Sequence, residues 1–125
     1  MGEKGKKLNL FDSFSMVKDH FAPKIIGEVN DVYVKIARIK GEEIPWHNHP
    51  EEDEMFYVLE GDLLMEIADQ GSFSMNVGDI YIVPRGINHR VSAAEECKIM
   101  LIEKKTTAHT GDVVADVTKS IDQQK

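Results

Sequence analysis

The sequence predicts an all-β fold, a small barrel or sandwich of antiparallel strands, and three observations carry the prediction. Apolar runs of four to nine residues recur at even spacing from Lys24 to Lys105. Turn signals separate them: Asn30-Asp31, Glu60-Gly61-Asp62, Gln70-Gly71, Val77-Gly78-Asp79 and Pro84-Arg85-Gly86. No long amphipathic helical pattern alternates with these runs, so parallel βαβ units are excluded.

Residues 1–7 hold three lysines and two glycines and read as a loose end. Residues 8–22 place Leu10, Phe14, Val17 and Phe21 at helical spacing, which predicts a short helix capped by Ser13 or Ser15 and ended by Pro23. The predicted strands are Ile25–Val29, Val32–Lys40, Glu54–Glu60, Leu63–Ala68, Phe73–Val77, Ile80–Val83, His89–Ala93 and Lys98–Lys105. The tail after Thr106 is polar and reads as irregular. Met55–Leu59, Ile80–Val83 and Ile99–Ile102 are apolar on both faces. A lone barrel buries only one face, so the N-terminal segment or a second subunit must cover the other. This predicts a homodimer.

The chain of 125 residues is long enough for one domain with a real core. A single cysteine, Cys97, excludes an internal disulfide and suits a reducing, cytoplasmic setting. Cys97 has no nucleophile constellation around it and reads as a buried thiol. No apolar run approaches a membrane span or a secretory leader. The net charge of −7 argues against a nucleic-acid surface.

Two stretches carry the chemistry. The first reads G-x5-H-x-H-x4-E-x6-G, with Gly41, His47, His49, Glu54 and Gly61. The second reads G-x5-P-x-G-x2-H, with Gly78, Pro84, Gly86 and His89. On extended backbone, His47 and His49 leave the same face. A return turn brings a carboxylate back over them, and His89 arrives from a neighbouring strand. Three imidazoles and one carboxylate suit a divalent first-row metal. Asp53 is the rival carboxylate; Glu54 is preferred because it shares strand parity with Phe56 and Val58. Glu51 and Glu52 read as a solvated loop. Trp46 leaves the opposite face and reads as packing. His20 and His109 lie outside both stretches and read as surface or capping residues. Arg38 and Arg85 are candidate anion contacts, with solvent as the default for Arg85.

These two stretches resemble the paired motifs of the cupin family over roughly residues 41–93. The family pattern closes with an asparagine, and this chain has Ala93 there. The resemblance implies a jelly-roll barrel (a double-stranded β-helix) with the metal ligands His47, His49, Glu54 and His89 pointing inward. It implies one domain over residues 1–125, with a core at about 30–105, an N-terminal extension (1–29) and a C-terminal tail (106–125). It implies one transition metal per chain, with iron, manganese, nickel and zinc as candidates. It also implies a small-molecule ligand, and pairing of barrels through exchanged N-terminal strands. The family holds isomerases, dioxygenases and non-catalytic binding modules. The expected function is a metal-dependent enzyme of isomerase or dioxygenase type, with a metal-anchored sugar- or carboxylate-binding module as the alternative.

Overall fold

In the computed structural model, residues 4–125 are described; the first three residues of the expected loose end lie outside them. Seven strands build the molecule: β1 (Lys24–Val29), β2 (Val32–Gly41), β3 (Glu54–Glu60), β4 (Leu63–Ile67), β5 (Gly71–Met75), β6 (Ile80–Val83) and β7 (His89–Lys104). All pairings are antiparallel, in the order β1-β2-β7-β3-β6, with β4 and β5 joined to the other end of β7. This is the expected jelly-roll barrel. Its interior is filled by residues of β2 to β7, among them Ala37, Ile39, Phe56, Val58, Met65, Ile99 and Leu101.

The expected break after Ala93 does not occur. β7 runs unbroken through Ala94–Cys97, because that stretch has neither Gly nor Pro to stop it. Instead the strand changes partners. Its first part pairs with β4, from His89↔Ile67 to Ser92↔Leu64. Its last part lies between β2 and β3. Ala94, Glu95 and Glu96 are exposed in succession, which interrupts the two-residue alternation where the strand crosses from one sheet to the other. Gly61 allows this crossing to pack: its φ is +83°, and a Cβ there would lie 2.8 Å from the Glu96 carbonyl oxygen.

The N-terminal helix is shorter than the spacing predicts. α1 covers only Leu10–Ser13 and runs into a 3-10 turn, Phe14–Met16. Its cap is Asn9, whose side chain accepts from the Asp12 amide; Ser13 instead donates its hydroxyl to the Asn9 carbonyl at 2.8 Å. The segment packs on its own barrel. Phe14 and Val17 bury against Ile26, Ile36 and Leu59 on the outer face. The exchange of N-terminal strands implied by the resemblance is not needed for this cover. Arg38 points outward and ties the segment down, donating to the carbonyls of Val17 (2.7 Å) and Phe14 (3.0 Å) and to Glu96 (3.1 Å). His20 adds a second contact to Glu96 at 2.9 Å. The cover stops short of edge strand β6, where Ile80 and Ile82 stay 55% and 53% exposed.

The tail is mostly turns, as expected, and ends in a one-turn helix, α2 (Ile121–Gln124), held by a Ser120/Gln123 capping box. It is nevertheless packed, with Thr107, Thr110 and Gln124 buried. Among the described residues, no helix is long and apolar enough to cross a membrane.

Candidate metal centre

His47 and His89 meet backbone to backbone. Their main chains exchange both hydrogen bonds, His47 N–H to His89 O at 3.1 Å and His89 N–H to His47 O at 2.9 Å. His49 sits two residues on, and its carbonyl accepts from the Gly86 amide of the Pro84-x-Gly86 turn at 2.9 Å. The turn glycine therefore fixes the segment carrying two of the imidazoles. Glu54 opens β3 and His89 opens β7. One donor atom from each of His47, His49, Glu54 and His89 lies within 4.8 Å of the others, and all four side chains are buried.

The imidazoles are oriented for a shared centre. His47 Nδ1 is 2.8 Å from the Pro45 carbonyl and His89 Nδ1 is 2.9 Å from the Ile87 carbonyl. Each carbonyl accepts the Nδ1 proton and leaves the Nε2 lone pair free. His49 Nε2 and His89 Nε2 lie 3.2 and 3.4 Å from Glu54 Oε1. Both nitrogens are buried without a hydrogen-bond partner. Such atoms cost free energy unless something binds them, and a cation would serve. Burial, with the other two imidazoles, pushes the His47 pKa down to about 4. A neutral ring is the form that ligates.

The carboxylate that lies in the cluster is Glu54. Asp53 accepts from the Arg85 amide at 2.8 Å and so braces the Pro84–Gly86 turn from outside. Arg85 itself is exposed, and Arg38 lies on the outer face, so neither reaches the cluster. Behind Glu54 is a pair that the sequence reading missed. Glu103 lies opposite Glu54 in the ladder, and Lys35 Nζ approaches Glu103 Oε1 at 2.7 Å, close but not aligned as a hydrogen bond. Both side chains are buried. Burial and the Glu54 carboxylate push Glu103 well above the usual carboxyl range, against the pull of Lys35. Burial alone would raise Glu54 too; the Glu103 carboxyl opposite it and the contacts with His49 and His89 outweigh it and hold Glu54 well below.

A cavity of about 40 Å³ opens beside His47, Glu54 and His89. Its other walls are apolar, with Ile39, Phe56, Val91 and Leu101 from the barrel and Phe21 and Pro23 from the N-terminal segment. Phe21 holds φ at +57°, a conformation costly for an aromatic residue, and its amide donates to the Arg38 carbonyl at 2.8 Å. The last wall is His109 of the tail. This corrects the surface role expected for it: the tail folds back over the barrel, and burial pushes the His109 pKa down to about 4. The tail is clamped by Asp112, which accepts from the Asn48 amide (3.0 Å) and side chain (3.1 Å), while its own amide donates to Asn48 O (3.1 Å). Gly111 makes the approach possible, with φ +55° and a would-be Cβ 2.0 Å from Asn48 O. Trp46 is exposed, with the Arg90 guanidinium 5.0 Å above its ring. Burial and the acidic groups Asp62 and Glu60 raise Cys97 to about 12, so it stays an inert thiol.

Comparison with known proteins places this geometry. The family model described as "Cupin domain" matches residues 37–103. A Bacillus subtilis (strain 168) protein, YdbB, described as uncharacterized, is 36% identical over 100 residues, covering 80% of this chain and 88% of its own. The crystal structure of a cupin-2 domain containing protein from Shewanella frigidimarina superposes with a TM-score of 0.74 at 40% identity, over 78% of this chain and 93% of that one. A sugar phosphate isomerase of the cupin superfamily from Silicibacter pomeroyi superposes with a TM-score of 0.55 at 25% identity, over 62% of this chain and 53% of that one.

Proposed function

The chain belongs to the cupin family, and from that premise we propose that His47, His49, Glu54 and His89 hold one divalent transition metal (iron, manganese, nickel or zinc) that binds a small organic molecule for isomerase- or dioxygenase-type chemistry. The observation that carries this reading is the pair of buried, unpartnered Nε2 atoms of His49 and His89 beside Glu54 Oε1. Four protein ligands leave two positions on a six-coordinate ion. A bound metal would supply Lewis acidity toward a ligand oxygen or, for iron, redox chemistry.

The residues divide the remaining work. Pro45 and Ile87 carbonyls keep His47 and His89 in the ligating tautomer. Glu103, opposite Glu54 in the ladder, links the Glu54 side of the site to Lys35. Phe21, Phe56 and Leu101 exclude water from the ligand side. We take the active unit to be a cytoplasmic homodimer with residues 1–125 as one domain; the uncovered Ile80 and Ile82 favour a second subunit.

Elemental analysis of purified protein tests the centre, followed by a substrate screen with the matching metal. Close to one metal per chain is expected. Protein that is metal-free and takes up none of the four ions in titration overturns the reading. A second reading, a binding module without turnover, is favoured by the apolar cavity wall. It would show stoichiometric metal and saturable ligand binding but no product.

A further inference from the structure

His109 combines two features. Its ring lines the cavity beside His47 and Glu54, and its Nδ1 accepts a hydrogen bond from the Lys119 amide at 2.8 Å. An Nδ1 that accepts carries no proton, so in the neutral ring the proton is on Nε2. The tail thus brings one fixed N–H donor to a cavity wall that is otherwise apolar apart from His47, Glu54 and His89. Resting on the metal reading above, we propose that His109 Nε2–H donates to the free oxygen of a small monocarboxylate whose other oxygen is on the metal, and so selects the ligand class.

Charge, polarity and size each point to that class. Three neutral imidazoles and one carboxylate around a divalent ion leave a net charge of +1 in a buried site. A monoanion cancels it, and an uncancelled buried charge is costly. No lysine or arginine lines the cavity, so a phosphate dianion would be left unpaired. Sugar hydroxyls would find no partner beyond His109 among the described wall residues. A cavity of about 40 Å³ admits a body of only a few carbons. The sugar phosphate chemistry of the Silicibacter relative is therefore not what this wall fits.

The test uses the full chain loaded with Co²⁺, whose visible absorption reports ligand exchange, and titrates propionate, with glucose 6-phosphate as the contrasting probe. Wild type, His109→Phe and His109→Gln should each bind one Co²⁺ with unchanged affinity. Propionate affinity should fall about tenfold or more in His109→Phe, the worth of a hydrogen bond to a charged group, and recover in His109→Gln, which keeps a donor. In the metal-free wild type, ¹⁵N NMR should show His109 protonated at Nε2. Equal propionate affinity in His109→Phe overturns the inference. So does an Nδ1-protonated ring, tighter binding of glucose 6-phosphate, or loss of Co²⁺ from both variants, which would make His109 a structural or metal-binding group. Wild-type protein that takes up no Co²⁺ and none of the four candidate ions fails at the earlier step, and the metal reading falls together with this one.

Discussion

Glu54 and Glu103 face each other across the β3–β7 ladder, and their carboxyl pKa values are pushed in opposite directions, Glu54 well down and Glu103 well up. Glu54 is one of the four clustered residues, and Glu103 connects it to Lys35. Two neighbouring carboxyls in a buried site cannot both lose their protons without large repulsion. Here His49 and His89, both against Glu54, favour its charged form.

That relationship predicts a strong asymmetry on mutation. Glu103→Ala leaves Lys35 buried without its partner and should cost about 3–5 kcal/mol in urea unfolding. Replacing both, with Lys35→Met and Glu103→Leu, should cost less than the sum of the two single changes. Additive losses would mean that the pair is not coupled.

Metal binding should separate Glu54 from Asp53. Glu54→Gln and His49→Ala should each lower metal affinity strongly while the far-ultraviolet circular dichroism stays that of a β protein. Asp53→Ala should keep the metal and lose about 1 kcal/mol of stability, because it removes one hydrogen bond to the Arg85 amide. Equilibrium dialysis against a metal-buffered solution reads both outcomes.

The metal-free protein should lose stability on the acid side. His47 and His109 are each held near pKa 4 when folded, against 6.5 for the free side chain. Between those values the unfolded chain binds more protons than the folded one. Stability from these two groups is therefore fully present above about pH 6.5 and falls as pH drops toward about 4, by roughly 1–3 kcal/mol per group. Thermal melts between pH 7 and pH 4 should show a falling Tm, and a flat profile would contradict the burial of these rings.

In solution the chain should be a dimer joined over the β6 face. Ile80→Glu combined with Ile82→Glu should give the monomer mass by light scattering with the metal content unchanged. A monomeric wild type would instead leave both isoleucines as tolerated surface residues.

Much of this was legible in the sequence, for identifiable reasons. The cluster could be read because each member sits at a turn-defined distance from a glycine or proline, and turns have few geometries. Both ends of β3 and β6 could be read because Gly61, Gly78 and Pro84 bound them. Lys35 and Glu103 could not be. On β2 the odd positions (Lys35, Ala37, Ile39) and the even ones (Ile36, Arg38) both mix polar with apolar, so parity alone did not say which face was inward. His109 was hidden because an irregular tail has no period to reveal which residue it turns inward. The only available signal was the Gly111-Asp112 pair, whose flexible turn and capping carboxylate mark a segment able to dock. The continuity of β7 was missed because three exposed residues in a row imitate a loop.

The partner change within β7 ties the centre to folding itself. His89 stands at the strand's first residue, in the part that pairs with β4, while Glu103 stands near its last, against β3. No local hairpin contains the whole cluster, so the centre cannot exist in a half-built chain. Metal capture must come after the two sheets have been stitched together, and a bound ion would then slow their separation.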